Sequence, residues 1–259
     1  MQKKREFVKE NKSTEKVTIE GRNPVFEALS AGRPIDKIWI SETVRPGGVQ
    51  KLLDLAKEKQ VPVQIVNPQK INSLSQTEAS QGVVAVCSAV QYAQLEDLFQ
   101  KAEEKNAAPF FIIADEITDP HNLGAIIRSA CAAGADGVII PKNRSAGLDA
   151  VVAKTSAGAV HYTPVVRVTN LAQTIDTLKE RGLWLAGADM SGEKTLFESD
   201  LTGPIALVVG SEGKGISRLL KEKCDFMVQI PMLGQIESLN ASVAAAIMMY
   251  EIVRQRQQK

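Results

Sequence analysis

The sequence predicts an α/β protein in two parts: a small N-terminal α/β domain and a larger α/β domain built on a mostly parallel sheet. From residue 110 onward, short apolar runs alternate with helix-type segments, which is typical of parallel strands connected by helices. A polar, helix-prone stretch at 91–106 separates this alternation from a shorter α/β pattern before it. The chain has 259 residues, 44% of them hydrophobic, which is enough for two ordinary domains with a substantial core.

The elements of the first domain follow from hydrophobic patterning. Residues 1–16 carry many charges and almost nothing to bury, which predicts a flexible, mildly basic tail. An amphipathic helix is predicted at 49–60, with strands at 37–40, 61–66 and 83–88. We therefore expect the first domain to span 17–90 and a linker to follow at 91–107.

The second domain, at 108–259, repeats strand and helix in turn. Strands are predicted at 110–114, 137–140, 165–168, 183–186, 205–209 and 226–230. Helices are predicted at 122–133, 148–156, 171–181, 217–222 and from 241 onward. Asn170, with Gln173 three residues later, and Asn240 have the form of N-caps for the third and last of these helices.

The last helix is apolar nearly all the way round over residues 241–250. If one face packs on the sheet, the other leaves Ile, Met and Val side chains in water. This pattern predicts an interface with a second subunit.

Composition excludes several classes of protein. Three distant cysteines and two histidines, His121 and His161, form no recognisable ligand motif, so neither a disulfide framework nor a metal centre is predicted. No apolar run approaches the roughly eighteen residues of a spanning helix, and the N-terminus has no signal-type apolar stretch. We therefore expect a cytoplasmic protein with no membrane partner. A net charge of +1 neither supports nor excludes binding to nucleic acid.

Three loops follow predicted strands of the second domain, at the edge of an open α/β sheet where ligands bind. The first, 115–124, leads into a helix that carries Asn122 and Arg128, and ordinary turn chemistry explains its sequence equally well. The third, 230–240, contains Ser238 and Asn240, which taken alone are better explained by helix capping. Together with the second loop, they predict one composite site.

The second loop, Gly210-Ser211-Glu212-Gly213-Lys214-Gly215, has three glycines in six residues, which allow the backbone to approach a ligand closely. Its glycine order matches neither the Walker phosphate loop nor the Gly-x-Gly-x-x-Gly dinucleotide motif. The loop therefore favours a nucleotide-like ligand without a pyrophosphate.

These residues resemble the three motifs of the SpoU (TrmH) family of RNA ribose methyltransferases. The motifs are Asp119 to Gly124 with Arg128, Gly210 to Gly213, and Ile230 to Met232 with Ser238 to Asn240. The likeness covers about residues 108–259, and the preceding domain resembles the ribosomal-protein-like substrate-binding domain of the RlmB branch. The resemblance implies an S-adenosylmethionine-dependent 2'-O-methyltransferase, a homodimer whose catalytic domain has a C-terminal trefoil knot.

The resemblance also implies roles for individual residues. Backbone groups of three residues would contact the cofactor: Gly210, Ile230 and Leu239. Arg128 matches the family arginine assigned to the removal of the hydroxyl proton. Because arginine stays protonated in proteins, we interpret it mainly as a ligand of the adjacent phosphate that stabilises alkoxide charge, with base action through the phosphate as the alternative. Four residues match positions that orient the ribose, hold the arginine or shape the pocket: Asn122, Glu212, Ser238 and Asn240.

Glu212 is a candidate partner for the Arg128 guanidinium. His121 and His161 receive no catalytic role. Lys142 and Arg144, on either side of Asn143, form a basic cluster on the ligand side of the sheet. This cluster is either an RNA backbone contact or a solvated turn.

The RlmB branch implies a guanosine of 23S rRNA as the substrate, and tRNA is the nearest alternative with the same chemistry. An RNA-binding protein of the same fold without catalysis is a second class of interpretation. A nicotinamide-dependent oxidoreductase is a third, but the chain lacks the glycine signature and the acidic residue about twenty positions later that hold a dinucleotide.

Overall fold

The computed structural model describes residues 18–75, 77, 80–87, 90–190, 192, 194–236 and 238–258. The basic tail predicted at 1–16 lies outside this range. Val17, the predicted first residue of the first domain, and Ser88, the predicted last residue of a strand, also lie outside it. Among the described helices, none combines the length and the hydropathy that crossing a membrane requires.

The N-terminal part of the chain forms a four-stranded mixed sheet of order β1-β4-β2-β3. Its strands are β1 (Thr18–Glu20), β2 (Ile35–Ser41), β3 (Val63–Val66) and β4 (Val83–Cys87). Three helices accompany them: α1 (Arg22–Ser30), α2 (Gln50–Glu58) and α3 (Pro68–Leu74). One apolar core joins sheet and helices through fully buried residues such as Val25, Ile38 and Val83.

The sequence patterns predicted β2, β3, β4 and α2 but missed the other three elements. β1 is only three residues long, too short for an alternation to show. α3 carries a signal that sequence reasoning overlooked, because Pro68 stands at its first turn and the Asn67 side chain accepts a hydrogen bond from the Lys70 amide at 2.9 Å.

The second part of the chain forms a seven-stranded sheet of order β7-β6-β5-β10-β8-β11-β9. The strands are β5 (Phe110–Ala114), β6 (Gly137–Pro141), β7 (Val165–Val168), β8 (Trp184–Ala188), β9 (Lys194–Thr195), β10 (Ile205–Val209) and β11 (Phe226–Gln229). Each pairing recorded between these strands is parallel. The mixed α/β fold with a mostly parallel sheet is confirmed, and the trefoil knot stays a prediction.

Helices cover both faces of this sheet. They are α4 (Leu95–Glu104), α5 (Pro120–Ala132), α6 (Ala150–Thr155), α7 (Leu171–Glu180), α8 (Arg218–Lys223) and α9 (Ala241–Gln257). Because neighbouring side chains of a strand point to opposite faces, Phe110 and Ile112 pack with α5, α6 and α9, whereas Phe111 and Ile113 pack with α4, α7 and α8. Both faces of the sheet are therefore buried.

The segment 91–107, predicted as a linker, contains helix α4, which packs into the second core. Leu98 is fully buried, and the rings of Phe99 and Phe111 meet edge to face with centroids 4.9 Å apart. Gly137 on β6 leaves room for this helix, because a Cβ there would lie 2.4 Å from a Leu98 side-chain atom. This segment is thus helical and packs as part of the core of the larger domain.

Side-chain caps mark the starts of helices α5, α7 and α9. α5 begins at Pro120, two residues before the predicted start, because the Asp119 side chain accepts a hydrogen bond from the His121 amide at 3.0 Å. The predicted cap of α7 is observed, with the Asn170 side chain 3.2 Å from the Gln173 amide nitrogen. Asn240 likewise caps α9, accepting from the Ser242 amide at 3.0 Å.

Candidate functional site

A cavity of about 300 Å³ opens at the carboxyl ends of β10, β8 and β11. Its walls come from the glycine loop 210–215, the segment 188–190 after β8, and the start of α9. The three residues predicted to contact a cofactor, Gly210, Ile230 and Leu239, all line it. The second and third predicted loops, which are separate in the sequence, therefore line one cavity.

The glycine loop folds back on itself at the mouth of this cavity. Ser211 and Gly215 exchange backbone hydrogen bonds of 3.2 and 2.8 Å, which closes the loop. A Cβ at position 210 would lie 2.0 Å from the Gly215 carbonyl carbon and 2.2 Å from the Ile216 nitrogen. Since these are backbone atoms that cannot rotate away, only glycine fits at position 210.

Asp115, at the end of β5, holds the far side of the glycine loop. Its buried carboxylate accepts a hydrogen bond from the Ser217 amide at 2.8 Å. Strand β5 lies next to β10 in the sheet, so this bond connects the first loop to the second. Sequence reasoning gave Asp115 no role, although it immediately follows a buried strand.

A carboxylate and two amides meet at the rim of the cavity, and we call them the Asn122–Glu212–Asn240 cluster. Glu212 Oε1 accepts hydrogen bonds from Asn122 Nδ2 at 3.1 Å and from Asn240 Nδ2. Asn240 Nδ2 also donates to Asn122 Oδ1 at 2.9 Å. The cluster joins all three loops, so Asn240 is both a helix cap and a part of the site.

Glu212 also sits at the N-terminus of α9, where the Ala241 amide lies 3.4 Å from its Oε1 atom. This contact places the Glu212 side chain among the backbone amides at the start of α9. Ser238, another predicted site residue, is exposed and lines the cavity beside Glu212.

Arg128 does not join this cluster, and no hydrogen bond or ion pair links it to Glu212 within the part of the chain that the structure describes. Glu212 is engaged by the two asparagine amides, whereas the exposed Arg128 makes no recorded hydrogen bond or ion pair with any residue that the structure describes. The helical geometry explains the separation. Six residues turn a helix by about 600°, so Arg128 projects about 120° away from Asn122.

The basic residues after β6 have defined partners. Lys142 donates a 2.6 Å hydrogen bond to Gln60 Oε1 of the N-terminal domain, and burial together with nearby Arg167 lowers its pKa. Arg144 forms a 3.0 Å ion pair with Glu116, but its side chain remains 80% exposed. Lys142 thus helps to join the two domains, and Arg144 faces solvent.

Asp189 and Met190 line the cavity but were missed by sequence reasoning. They follow β8 as directly as the glycine loop follows β10, so the rule that selected three loops would also have selected this one. Both histidines are exposed, and His121 Nδ1 lies 3.4 Å from Thr155 Oγ1. Within the described residues, no group of three or more His, Cys, Asp or Glu is arranged to hold a metal ion.

The fold and the site together define an α/β protein that binds a nucleotide-like ligand beside a polar cluster at the carboxyl edge of its sheet. The chain belongs to the SpoU rRNA methylase family, whose model matches residues 109–250. A second model, described as RNA 2'-O ribose methyltransferase substrate binding, matches residues 18–93. The resemblance that the three motifs suggested is thereby confirmed.

Curated relatives cover nearly the whole chain. YacO of Bacillus subtilis, whose name assigns it to the TrmH family of tRNA/rRNA methyltransferases, is 50% identical over 236 residues, covering 91% of this chain and 94% of its own. A Staphylococcus haemolyticus protein of the same designation is 47% identical over 244 residues, with coverage of 94% and 98%.

Solved structures share the fold over similar lengths. The SpoU methyltransferase AviRb from Streptomyces viridochromogenes, in complex with AdoMet, has a TM-score of 0.60 and 28% identity, covering 93% of this chain and 91% of its own. An AdoMet-bound rRNA methyltransferase from Sinorhizobium meliloti has a TM-score of 0.57 and 25% identity, covering 92% and 86%. The A. aeolicus TrmH/SpoU tRNA modifying enzyme has a TM-score of 0.53 and 29% identity, covering 63% of this chain and 85% of its own.

Proposed function

We propose that this protein is an S-adenosylmethionine-dependent RNA ribose 2'-O-methyltransferase. The observation that carries the proposal is the Asn122–Glu212–Asn240 cluster at the rim of a glycine-walled cavity. A methyl donor in the cavity and a ribose hydroxyl at the cluster would then lie side by side. Family membership supplies independent support for this reaction class.

The cavity fits an adenosine-based methyl donor. Val209, Ile230 and Met248 offer apolar surface for an adenine ring. Because Gly210 has no side chain, its backbone can approach the ligand closely. Loop and strand-end amides and carbonyls around Gly210, Ile230 and Leu239 supply hydrogen-bond partners for the edge of the ring. The bound donor supplies an activated methyl group on a sulfonium centre.

The residues of the cluster would place the ribose for in-line attack. The Asn122 and Asn240 amides, held by Glu212, are positioned to hydrogen-bond to ribose hydroxyls and fix their direction. The attacking hydroxyl must lose its proton as it attacks, which develops negative charge on oxygen. A guanidinium such as Arg128, bound to the adjacent phosphate, would stabilise that charge or allow the phosphate to take the proton.

Because Arg128 points away from the cluster of its own chain, we propose that the enzyme is a homodimer in which Arg128 serves the partner's site. Helix α9, which packs against α5, exposes an apolar stripe suited to such an interface: Val243 (46% exposed), Ile247 (37%) and Tyr250 (51%).

Subunit mixing tests this arrangement. If Arg128 acts across the interface, an Arg128→Ala subunit paired with a Glu212→Ala subunit contains one intact site. Random mixing would then restore about a quarter of the wild-type activity, since half of the dimers are mixed and each has one working site. Absence of recovery would place Arg128 in the site of its own chain.

We propose a guanosine of 23S rRNA as the target and the cytoplasm as the location. The coverage of solved structures supports rRNA, because the Sinorhizobium meliloti rRNA enzyme aligns with 92% of this chain and the A. aeolicus tRNA enzyme with 63%. The basic positions Lys142 and Arg144 would contact the RNA backbone. Transfer RNA is the alternative substrate.

The decisive experiment offers labelled S-adenosylmethionine with unmodified 23S, 16S and tRNA transcripts in parallel, and locates the label by nuclease digestion. Label on one ribose of 23S rRNA is the expected result. Label on tRNA would preserve the chemistry and change the substrate. An absence of label on transcripts and on ribosomal particles alike would favour an RNA-binding protein without catalysis.

Two variants separate catalysis from RNA binding. Arg128→Ala should abolish transfer and retain RNA binding, an outcome that excludes a purely binding role. Arg144→Glu should weaken RNA binding and reduce its salt dependence while leaving cofactor affinity unchanged. Unchanged RNA binding in the second variant would identify the 142–144 segment as a solvated turn.

A further inference from the structure

Asp189 is an acidic residue in the cavity wall to which the family motifs assign nothing. It follows directly after β8, the strand that pairs with β10, and its side chain is only 12% exposed. The Asp189 amide donates to the Val228 carbonyl at 3.0 Å, which fixes the backbone between the ends of β8 and β11. Asp189 therefore lines the cavity next to the glycine loop.

Lys221 and Gly215 are two of the neighbours of the Asp189 carboxylate. Lys221 on α8 forms an ion pair with Asp189 Oδ2 at 2.5 Å. A Cβ at position 215 would lie 3.3 Å from the same oxygen, so the absence of a side chain on Gly215 lets the carboxylate approach the loop. Asp189 thus contacts both helix α8, through Lys221, and the glycine loop, at Gly215.

The other ionisable side chains that line the cavity differ from Asp189 in their partners and exposure. Glu212 is engaged by the amide cluster at the rim, and Lys214 is exposed on the loop. Most of the remaining wall is apolar side chain or glycine backbone. Among the described residues that line the cavity, Asp189 is therefore a carboxylate that stands apart from the amide cluster at the rim.

A carboxylate has about four acceptor positions, so it can bind a lysine and both hydroxyls of a vicinal diol together. In dinucleotide-binding sheets, an acidic residue beyond the glycine loop likewise accepts a hydrogen bond from the ribose 2'-hydroxyl. We propose that Asp189 is a ribose ligand of the S-adenosylmethionine site, accepting from the 2'- and 3'-hydroxyls, and that Lys221 positions it. This inference rests on the cofactor assigned under the proposed function.

Ligand titration by calorimetry tests the proposal without measuring activity. The ligands are S-adenosylhomocysteine, its 2'-deoxy and 3'-deoxy analogues, and 5'-methylthioadenosine, which has no amino-acid group. Wild-type protein should bind the ribose form about tenfold to a hundredfold more tightly than either deoxy form, as expected for hydrogen bonds to a charged group. Asp189→Ala should bring this ratio close to one, and Asp189→Asn should give an intermediate ratio.

Asp176→Asn is the matched control, because Asp176 forms a 2.5 Å ion pair with Lys223 on the same helix α8 but does not line the cavity. Its ribose preference should equal that of the wild type. Lys221→Met should reduce the preference without abolishing it, since it frees the carboxylate to move.

Three results would overturn the proposal. Equal weakening of ribose and deoxy ligands in Asp189→Ala would show a wall residue with a structural role only. Weakening of S-adenosylhomocysteine with unchanged 5'-methylthioadenosine would identify the ligand's ammonium group as the partner. A wild-type protein without ribose preference would exclude the contact, whereas failure of the wild type to bind S-adenosylhomocysteine at all would reject the proposed cofactor itself.

Discussion

Three hydrogen-bond donors converge on a single oxygen, Glu212 Oε1: the side-chain amides of Asn122 and Asn240 and the backbone amide of Ala241. Hydrogen bonds to an ionised acceptor are shorter and stronger than those between neutral groups. Glu212 therefore sets the direction of both asparagine side chains, and each of them comes from a different loop. In the proposed reaction, Glu212 would therefore act on the substrate through these two asparagines.

Glu212→Gln should lower kcat about tenfold to a hundredfold while changing cofactor affinity much less. Glutamine has the same shape but loses the charge and presents an NH2 group to donors that need an acceptor, so the two amides would shift. Steady-state kinetics with RNA substrate and calorimetry with S-adenosylhomocysteine measure the two effects. Glu222→Gln, in an exposed i,i+4 pair with Arg218, is the control and should behave as the wild type. Unchanged kcat in Glu212→Gln would remove the cluster from the reaction.

The Cys224 thiol should resist modification in the folded protein. Burial, and secondly the neighbouring Asp225 carboxylate, raise the pKa of this thiol to about 12 from its ordinary value of 9.0. Little reactive thiolate is then present at about pH 8. Because the folded-state pKa is the higher one, the stability contributed by the protonated thiol is complete below pH 9.0 and declines as the pH rises toward about 12.

Thiol labelling with mass-spectrometric detection measures this directly. Cys224 should label at about pH 8 only after denaturant is added, with the partly exposed Cys131 as the internal comparison. Labelling of Cys224 at the rate of a free thiol in native protein would contradict the expected protection.

At the scale of elements, the glycine loop after β10 combines a packing requirement with a binding role. Gly210→Ala should abolish measurable cofactor binding and lower the melting temperature, because the added methyl group meets the backbone of Gly215 and Ile216 at 2.0–2.2 Å. Gly213→Ala is a matched control in the same loop, since a Cβ there meets nothing within 4 Å. Calorimetry and thermal unfolding of both variants test the difference, and equal binding by the two would show that the loop relaxes freely.

Helix α9 has both a buried face and an exposed apolar stripe. Its buried face includes Ala245, Met249 and Ile252, and its exposed stripe includes Ile247. Ile247→Asp should convert the proposed dimer to monomer, because a charge buried in an interface without a partner is strongly unfavourable. Analytical ultracentrifugation measures the mass, and Leu219→Asp, at an exposed leucine of α8, is the control. A dimer that persists in Ile247→Asp would place the interface elsewhere.

At the scale of the whole molecule, a buried polar joint connects the two domains. Arg167 on β7 pairs with Asp36 on β2 at 2.8 Å, with side chains only 13% and 10% exposed. Tyr92 donates to the same Asp36 oxygen at 2.5 Å, and its ring lies 4.2 Å from the Arg167 guanidinium carbon. Burial and the Asp36 carboxylate raise the pKa of Tyr92, so it remains a donor throughout the physiological range.

Arg167→Met should destabilise the protein by about 3–5 kcal/mol, because it leaves a buried carboxylate without its cation. Arg218→Met, which breaks an exposed ion pair on α8, should cost less than about 1 kcal/mol. Denaturant unfolding measures both, and separate transitions for the two domains in Arg167→Met would show that the joint also couples their unfolding. A small effect of Arg167→Met would mean that water replaces the guanidinium.

The sequence by itself determined the α/β class, most strands of the larger sheet, the caps at Asn170 and Asn240, and the family through its three motifs. These features are local: they depend on side-chain periodicity, turn chemistry and short spacings that a single segment contains. The three cofactor positions Gly210, Ile230 and Leu239 were predicted from the family motifs, and the structure places all of them in one cavity wall.

Only the tertiary structure decided which side chains meet. Glu212 binds Asn122 and Asn240 instead of Arg128, because the helical phase of α5 turns the arginine away. Lys142 lies at the domain joint, and Asp189 enters the cavity because β8 pairs with β10. Such contacts join residues far apart in the chain and depend on the order and register of strands, which no local pattern encodes.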